Sequence, residues 1–296
     1  MAMITWVDEP PRSHPSLVTA FTGWNDAGDA ASGALAWLAS RWETTEVATL
    51  DPEPFYDFAD TRPRLRLHDD GSRSLIWPSN DLMAAAVTGA DTPDGNSTEV
   101  ALLVGTEPQL KWKTFTQQIV DMAQRLDSPL VVTLGALLAD VPHTRPTPIY
   151  GSSDDPEMAS QLGLTPSRYE GPTGIVGVLH NACATAGLRT ASLWAAVPGY
   201  ASEIPSPKAS LALVRRLGTL LDISPDTSEL EEMAEGYERH VSELADQVDE
   251  TNGYIAQLES AYDQHEAESG EIEQMRSTDP TQFVSEIEQF LRNQRN

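Results

Sequence analysis

The chain is poor in cysteine and in basic residues, and both shortages limit what it can be. Cys183 is its one cysteine, which excludes an internal disulfide. Lys and Arg number 19 against 45 Asp and Glu, so the formal net charge is −26. Nucleic acids and anionic membranes attract basic surfaces. We therefore expect neither of them as the main partner.

Long apolar runs and a leader-like start are also missing. No uncharged run reaches the roughly 18 residues that a membrane-spanning helix needs. The first residues, MAMITWVDEPP, are too short and too acidic for a secretory signal. We expect a soluble, cytoplasmic protein, and 296 residues suffice for a sizeable core in one large domain or two smaller ones.

Familiar catalytic and metal-binding signatures are absent as well. The sequence has no G-x-S-x-G elbow and no H-E-x-x-H motif, and its six histidines are scattered. We expect no metal and no cofactor. His180 and Cys183 lie three residues apart in an apolar helical stretch and could form a nucleophilic pair, although such residues are more often packed in a core.

The stretch Leu17 to Trp42 organises the rest of the chain. A short apolar run predicts a buried strand, Thr22 to Asp26 predicts a turn, and the Ala- and Leu-rich continuation predicts a helix. Asn25 or Asp26 can cap that helix, and Asp29 suits the positive end of its dipole. Carboxylates at this place repel phosphate, so we do not expect a nucleotide-binding loop.

Similar units recur as far as residue 224 and predict an α/β fold. Short apolar strands alternate with helices of 12 to 18 residues, which indicates a mostly parallel, mixed sheet with helices on both faces. The turn Asp69-Asp70-Gly71 predicts an antiparallel hairpin, and Ser206-Pro207 predicts the start of a helix. We expect residues 1–224 to form this α/β domain.

Residues 225–296 are predicted to form an acidic, amphipathic helical extension. Apolar residues recur four and three apart over about four heptads, Thr251 interrupts them, and Ser269-Gly270 weakens the pattern before a second helix. We expect an antiparallel helical pair packed on itself, on the α/β domain or on another subunit. The predicted interaction residues are Leu230, Tyr237, Val241, Leu244, Val248, Ile255, Leu258, Phe283, Ile287 and Phe290.

Three polar loops follow predicted strands and should line one crevice, because the carboxyl ends of parallel strands share a sheet edge. Such a crevice could hold an acid, a base and an anion clamp. The alternative is structural, with acids capping helices and Glu107 pairing with Lys111 one turn later. The candidate residues are Asn25, Asp26 and Asp29; Thr106, Glu107, Lys111 and Lys113; and Asp140, His143, Thr144 and Arg145.

Five motifs together resemble the PAC2 family, which is similar to the proteasome assembly chaperone 2 group, and the chain looks like an actinobacterial member. The resemblance implies a phosphorylase/hydrolase-like α/β fold, homo-oligomerisation and a role in protein assembly linked to the proteasome, and it brings no catalytic residues. The motifs are FTGWNDAGDAA (21–31), GTEPQLKWKTF (105–115), LGALLADVPHTRP (134–146), YEGPTGIVGVLH (169–180) and SLWAAVPGY (192–200).

Two functions remain open at this point. The first is a non-enzymatic interaction protein that acts as a homo-oligomer, with a trimer favoured, and that binds the proteasome or its subunits. Family members that act on proteasomes often end in a hydrophobic-Tyr-x tail; this chain ends NQRN, so we expect the acidic extension to take that role or to seal the oligomer. The alternative is a nucleoside-phosphorylase-like or hydrolase-like enzyme, with His143 and Arg145 holding an anion and Asp26 or Glu107 as base.

Overall fold

A computed structural model describes most of the chain and places its core on both sides of one large sheet. The described residues are 3–7, 13–87, 91–92, 98–153, 155–161, 170–247 and 249–277. The predicted interaction residues Val248, Phe283, Ile287 and Phe290 lie outside them. Within the described part, no helix is long and apolar enough to cross a membrane.

Ten strands and seven helices make up the described structure. The strands are β1 (Ile4–Trp6), β2 (Ser16–Thr22), β3 (Thr44–Leu50), β4 (Arg64–Leu67), β5 (Arg73–Ile76), β6 (Asn80–Val87), β7 (Thr98–Thr106), β8 (Val131–Ala139), β9 (Ile149–Ser153) and β10 (Thr190–Pro198). The helices are α1 (Ala30–Arg41), α2 (Trp112–Arg125), α3 (Pro156–Gln161), α4 (Ile175–Thr185), α5 (Pro207–Leu221), α6 (Ser228–Ala245) and α7 (Asp249–Ser277).

Eight strands form a mixed sheet in the order β1-β3-β6-β7-β2-β8-β10-β9. The four central strands β7, β2, β8 and β10 are parallel to one another, and antiparallel strands extend the sheet on both sides. The predicted mixed α/β fold is therefore confirmed. The hairpin at Asp69-Asp70-Gly71 also forms, but β4 and β5 make a separate two-stranded sheet rather than joining the main one.

Two apolar clusters cover the faces of this sheet, because the parallel strands are apolar on both sides. Helices α1 and α5 pack on one face around Leu35 and Leu213. Helices α2 and α4 pack on the other around Phe115 and Leu179. Fully buried Cys183 belongs to this second cluster, where desolvation raises the pKa of its thiol to about 12. A thiol held so firmly in its protonated form is a core residue rather than a nucleophile.

Helix α6 continues the first cluster beyond residue 224. Its residues Leu230 and Ala234 are buried with α1 and α5, while Tyr237 and Val241 pack against Ala201 at the end of β10. The helical extension thus packs on the α/β body through α6. The predicted domain boundary after residue 224 stays a prediction.

The extension departs from the expected helix pattern at two places. Helix α6 ends at Ala245 and α7 begins at Asp249, whereas Ser269-Gly270 lies inside α7. Leu244 is 41% exposed, and Ala245 is buried instead. The reason is helical geometry: after Tyr237 and Val241, a further step of four residues keeps the stripe facing α5, whereas a step of three rotates Leu244 outward. Ile255 and Leu258 of α7 are buried.

Candidate functional site

The carboxyl ends of β2, β7, β8 and β10 meet at one edge of the sheet, where the predicted crevice should lie. The structure brings the first two candidate loops together at this edge. Glu107 Oε2 accepts a hydrogen bond from the Trp24 amide at 3.2 Å, and its Oε1 accepts from Asn25 Nδ2 at 3.5 Å. The carboxylate of one loop therefore fixes the conformation of the other.

Glu107 also reaches the start of α4. Its Oε1 accepts a hydrogen bond from the Ile175 amide at 2.9 Å, at the positive end of that helix. A helix N-terminus of this kind can bind an external phosphate or carboxylate. Here the chain supplies its own carboxylate. Gly174 permits this packing, because a Cβ there would lie 1.8 Å from Asn25 Nδ2.

Asp26 caps α1 from inside the protein, as predicted. Its Oδ1 accepts hydrogen bonds from the amides of Ala31 at 2.7 Å and Ser32 at 3.1 Å, and its Oδ2 accepts from Ser32 Oγ at 2.5 Å. Desolvation by burial nevertheless raises the pKa of Asp26, with a smaller contribution from the negative charge of Asp29. Asp26 is thus a structural cap, and its three hydrogen bonds oppose the effect of burial.

The remaining candidates on these two loops are dispersed. Asp29, Lys111 and Lys113 are exposed. Lys111 holds a left-handed backbone conformation just before α2, where its carbonyl accepts the Thr114 and Phe115 amides at 2.9 Å. The Thr106 carbonyl accepts a hydrogen bond from the Tyr56 hydroxyl at 2.5 Å. These residues do not converge on one point.

The third loop is covered by the helical extension. His143 is only 3% exposed, and its ring contacts the Tyr200 hydroxyl through Nδ1 and Ser242 Oγ of α6 through Nε2, both at 2.8 Å. Desolvation, with the nearby positive charge of Lys208, lowers the pKa of His143. A neutral ring fits this arrangement, with the Tyr200 hydroxyl donating to Nδ1 and Nε2–H donating to Ser242.

Arg145 is held by α7. Its Nε and Nη2 donate to the two carboxylate oxygens of Asp263 at 2.8 and 2.9 Å, and its Nη1 lies 3.3 Å from a carboxylate oxygen of Glu259. Thr144 donates to the same Glu259 carboxylate, and Tyr254 donates to Asp140 at 2.9 Å. Every candidate of this loop contacts the extension, so the guanidinium predicted to clamp an anion is engaged by two carboxylates of its own chain.

These long-range partners were not predicted. Tyr200, Ser242 and the pair Glu259 and Asp263 lie far along the chain from the loop that they contact. One signal was present in the sequence: Glu259 and Asp263 are four residues apart and therefore share one helix face. That spacing indicates a carboxylate pair but does not identify its cation.

A cleft of about 670 Å³ remains at the edge of the sheet. It is lined by acidic and apolar side chains, among them Asp26, Asp29, Glu203 and the exposed Trp24. Among the described residues, no group of three or more His, Cys, Asp or Glu side chains could hold a metal ion. The acidic side chains that line the cleft disfavour an anionic ligand.

Comparisons with known proteins agree with this architecture. The family model described as "PAC2 family" matches residues 20–245. A PAC2 family protein from Streptomyces avermitilis is 44% identical, with 81% of this chain and 99% of that chain covered and a TM-score of 0.75. A proteasome-assembly chaperone homologue from Mycobacterium tuberculosis is 41% identical, with the same coverage and a TM-score of 0.72.

A more distant likeness concerns the fold alone. An archaeal proteasome activator from Pyrococcus furiosus is 14% identical, with 81% of this chain and 97% of that chain covered and a TM-score of 0.63. No match was found among curated proteins. The family model matches most of the chain, and the two bacterial structures share more than 40% of its sequence. Together these matches show that the chain belongs to the PAC2 family.

Proposed function

We propose that this chain is a non-enzymatic assembly protein that acts in the cytoplasm, as a homo-oligomer, on proteasome subunits. Membership of the PAC2 family supports the proposal, as does the 41% identity to a protein described as a proteasome-assembly chaperone homologue. A trimer remains the favoured oligomer.

One observation supports the non-enzymatic part of the proposal: the candidate catalytic groups all form hydrogen bonds or ion pairs within the chain. Glu107 caps α4, Asp26 caps α1, His143 lies between Tyr200 and Ser242, and Arg145 pairs with Asp263. A general acid or base must reach a substrate atom within hydrogen-bonding distance. Here the hydrogen-bonding atoms of each of these groups already contact other groups of the same chain.

The surface of the chain suits a role in binding protein. Large apolar side chains are exposed on the hairpin β4–β5, on α6 and at the sheet edge, and exposed apolar clusters rimmed by polar residues mark interaction sites. The net charge of −26 favours a partner with a basic surface and a salt-dependent association.

The test uses purified proteasome α- and β-subunits from the organism that encodes the chain. We expect the chain to co-elute with α-subunits in size-exclusion chromatography and native mass spectrometry, and to change the rate at which the subunits form the complete particle. Serum albumin, another acidic protein, serves as the control. Absence of both a complex and a rate effect would refute the proposal.

The enzymatic alternative has its own test. Nucleosides, inorganic phosphate and small carboxylic acids are added to the purified chain, and the midpoint of thermal unfolding is measured. We expect no stabilisation, because Glu107 and Arg145 are already paired with groups of the same chain. A ligand-induced shift that disappears in both Asp26→Ala and Arg145→Ala would favour an enzyme instead.

A further inference from the structure

The hairpin β4–β5 is the most exposed apolar element of the described structure. All eight residues of its two strands are exposed, and neither strand joins the main sheet. Its base is fixed by an edge-to-face contact between Phe58 and Trp77, with ring centroids 4.8 Å apart. An isolated two-stranded hairpin is marginally stable in water. It therefore gains from a surface that covers one of its faces.

The pairing register separates the two faces of the hairpin. Leu65 lies opposite Leu75, and Leu67 lies opposite Arg73, so these four side chains share one face. We call it the leucine face. Its three leucines are between 54% and 67% exposed. The opposite face carries Arg64 and Arg66 with Ile76 and Ser74.

The hairpin is also basic within a strongly acidic chain. Arg62, Arg64, Arg66 and Arg73 are four of the 19 Lys and Arg residues, and they fall within 12 positions. Only Asp69 and Asp70, at the turn, oppose them. Of the four arginines, only Arg73 lies on the leucine face, because Arg62, Arg64 and Arg66 line a cleft on the other side of the hairpin. The surface that covers the leucine face should therefore be apolar at its centre and carry a carboxylate for Arg73 at its rim.

The outer face of α6 has this composition. Met233, His240 and Leu244 recur seven and four residues apart and form one exposed row, in which Met233 is 50% and Leu244 is 41% exposed. The exposed carboxylates of Glu232 and Glu243 flank the row. Glu231 and Glu238, by contrast, point toward α5 and pair with Arg215 and Lys208.

From this complementarity we propose that the leucine face of the hairpin docks on the outer face of α6 in a second copy of the chain. The inference rests on the proposed homo-oligomer and states how its subunits recognise one another. The two surfaces differ, so the contact is heterologous, and repeating it around an axis closes a ring. Each subunit then gives a hairpin to one neighbour and receives a hairpin from the other.

Site-directed crosslinking tests the contact. Leu67→Cys and Leu244→Cys are introduced into separate chains with different affinity tags, and the two chains are co-expressed and treated with a short bismaleimide. Because the native Cys183 is fully buried, the unmodified chain is the reagent control. We expect a crosslink between the two variants, and we expect none when Leu67→Cys is present alone.

Either of two other results would overturn the proposal. Crosslinking of Leu67→Cys with itself would mean that leucine faces pair with each other. No crosslink in either arrangement, in chains that still form an oligomer, would place the interface elsewhere.

Charge exchange provides a second test, read by light scattering in size-exclusion chromatography. Arg73→Glu should reduce the mass toward that of one chain, and so should Glu243→Lys. Combining the two changes in one chain should restore the oligomer. The matched control is Lys113→Glu at an exposed position of α2, which changes the net charge as Arg73→Glu does but lies away from both surfaces. A monomeric unmodified chain, or a loss that the combined variant does not repair, contradicts the contact.

These results are separable from the test of the proposed function. A chain that binds proteasome subunits as a monomer would refute the hairpin contact and leave the assembly role intact. A chain that shows the expected crosslink but binds no subunit would refute the assembly role and leave the contact intact.

Discussion

At the scale of single residues, Glu107 connects more of the sheet edge than any other candidate. Its carboxylate accepts hydrogen bonds from two backbone amides, those of Trp24 and Ile175, and lies near the side chain of Asn25. Hydrogen bonds to a charged acceptor contribute more than neutral ones. The conformations of the first loop and of the start of α4 therefore depend on one negative charge.

Replacing Glu107 by alanine should destabilise the protein. We expect the free energy of unfolding in urea to fall by about 2–3 kcal/mol, because two amides lose a charged acceptor. Glu107→Gln should lose less, since its amide oxygen can still accept. The control is Glu46→Ala, which removes an exposed carboxylate from β3. Equal effects for the two alanine variants would show that Glu107 has no structural role.

Asp26 makes a second residue-scale prediction, on pH. Burial raises the pKa of Asp26 in the folded state, so the folded protein binds a proton more tightly than the unfolded chain does. Its contribution to stability therefore falls as the pH rises from about 4 through the raised pKa. Asp26→Asn keeps an oxygen to accept the Ala31 and Ser32 amides but cannot ionise. Relative to the unmodified chain, this variant should gain stability with rising pH, measured by urea unfolding at each pH.

At the scale of secondary-structure elements, α6 and α7 hold the loop that follows β8. The contacts are polar and specific: His143 with Ser242, Arg145 with Asp263, and Lys208 with both the His143 carbonyl and Glu238. The residues are scattered along the sequence, and their contacts depend on how the sheet and the extension are placed.

The docking of α6 should weaken in acid. The pKa of His143 is lowered by burial and by Lys208, although Glu238 and Glu259 oppose the effect. The folded state therefore disfavours the charged ring, and stability is lost as the pH falls from about 6.5 through the lowered pKa. Hydrogen exchange at pH 5.5, corrected for the intrinsic rate, should be faster in α6 than at pH 7.5. His143→Gln should remove this difference, whereas His240→Gln, at an exposed position of the same helix, should retain it.

The elements that sequence reasoning predicted are those with local signals. Ser206-Pro207 predicts the start of α5, and Ser206 Oγ does accept the Ala209 amide. The strands β6 and β9 were not predicted. Strand β6 is rich in Ala, and β9 contains Gly and two Ser, so neither has a strong strand propensity. They become strands because β7 and β10 offer hydrogen-bonding partners.

The candidate site was predictable only in part, because only its local features leave a signal in the sequence. Strand-end loops could be assigned to one edge from topology alone, and Asp26 could be assigned as a cap from its position before a helix. The contacts of His143 and Arg145 with the extension could not be predicted, because no local pattern relates residue 145 to residue 263. Long-range ion pairs leave no periodic signal in a single sequence.

At the scale of the whole molecule, the question is whether the extension is separable from the α/β body. Leu230 is buried in the same cluster as α1 and α5, and Val241 is buried against the end of β10. Full burial of such side chains contributes roughly 1.5–3 kcal/mol each. The body therefore has a large apolar surface that α6 covers.

A chain that stops after residue 224 should be less stable than the full chain. Losing the burial of Leu230 and Val241 alone would remove about 3–6 kcal/mol, which corresponds to a fall of about 10 °C in the thermal midpoint. A chain that stops after residue 247 keeps α6 but loses the buried Ile255 and Leu258 of α7, so its midpoint should lie between those of the two other chains. Calorimetry distinguishes the two. An unchanged midpoint at residue 224 would support an independent α/β domain.

The one thiol of the chain, on the buried face of α4, can report how often the protein opens. Because the thiol of Cys183 is buried and has a raised pKa, an alkylating reagent can modify it only in molecules that have opened. The rate of label uptake, measured by mass spectrometry, therefore reports how often the native structure opens. Because the chain has no second thiol, the same measurement can be repeated on monomers, oligomers and proteasome-bound chains.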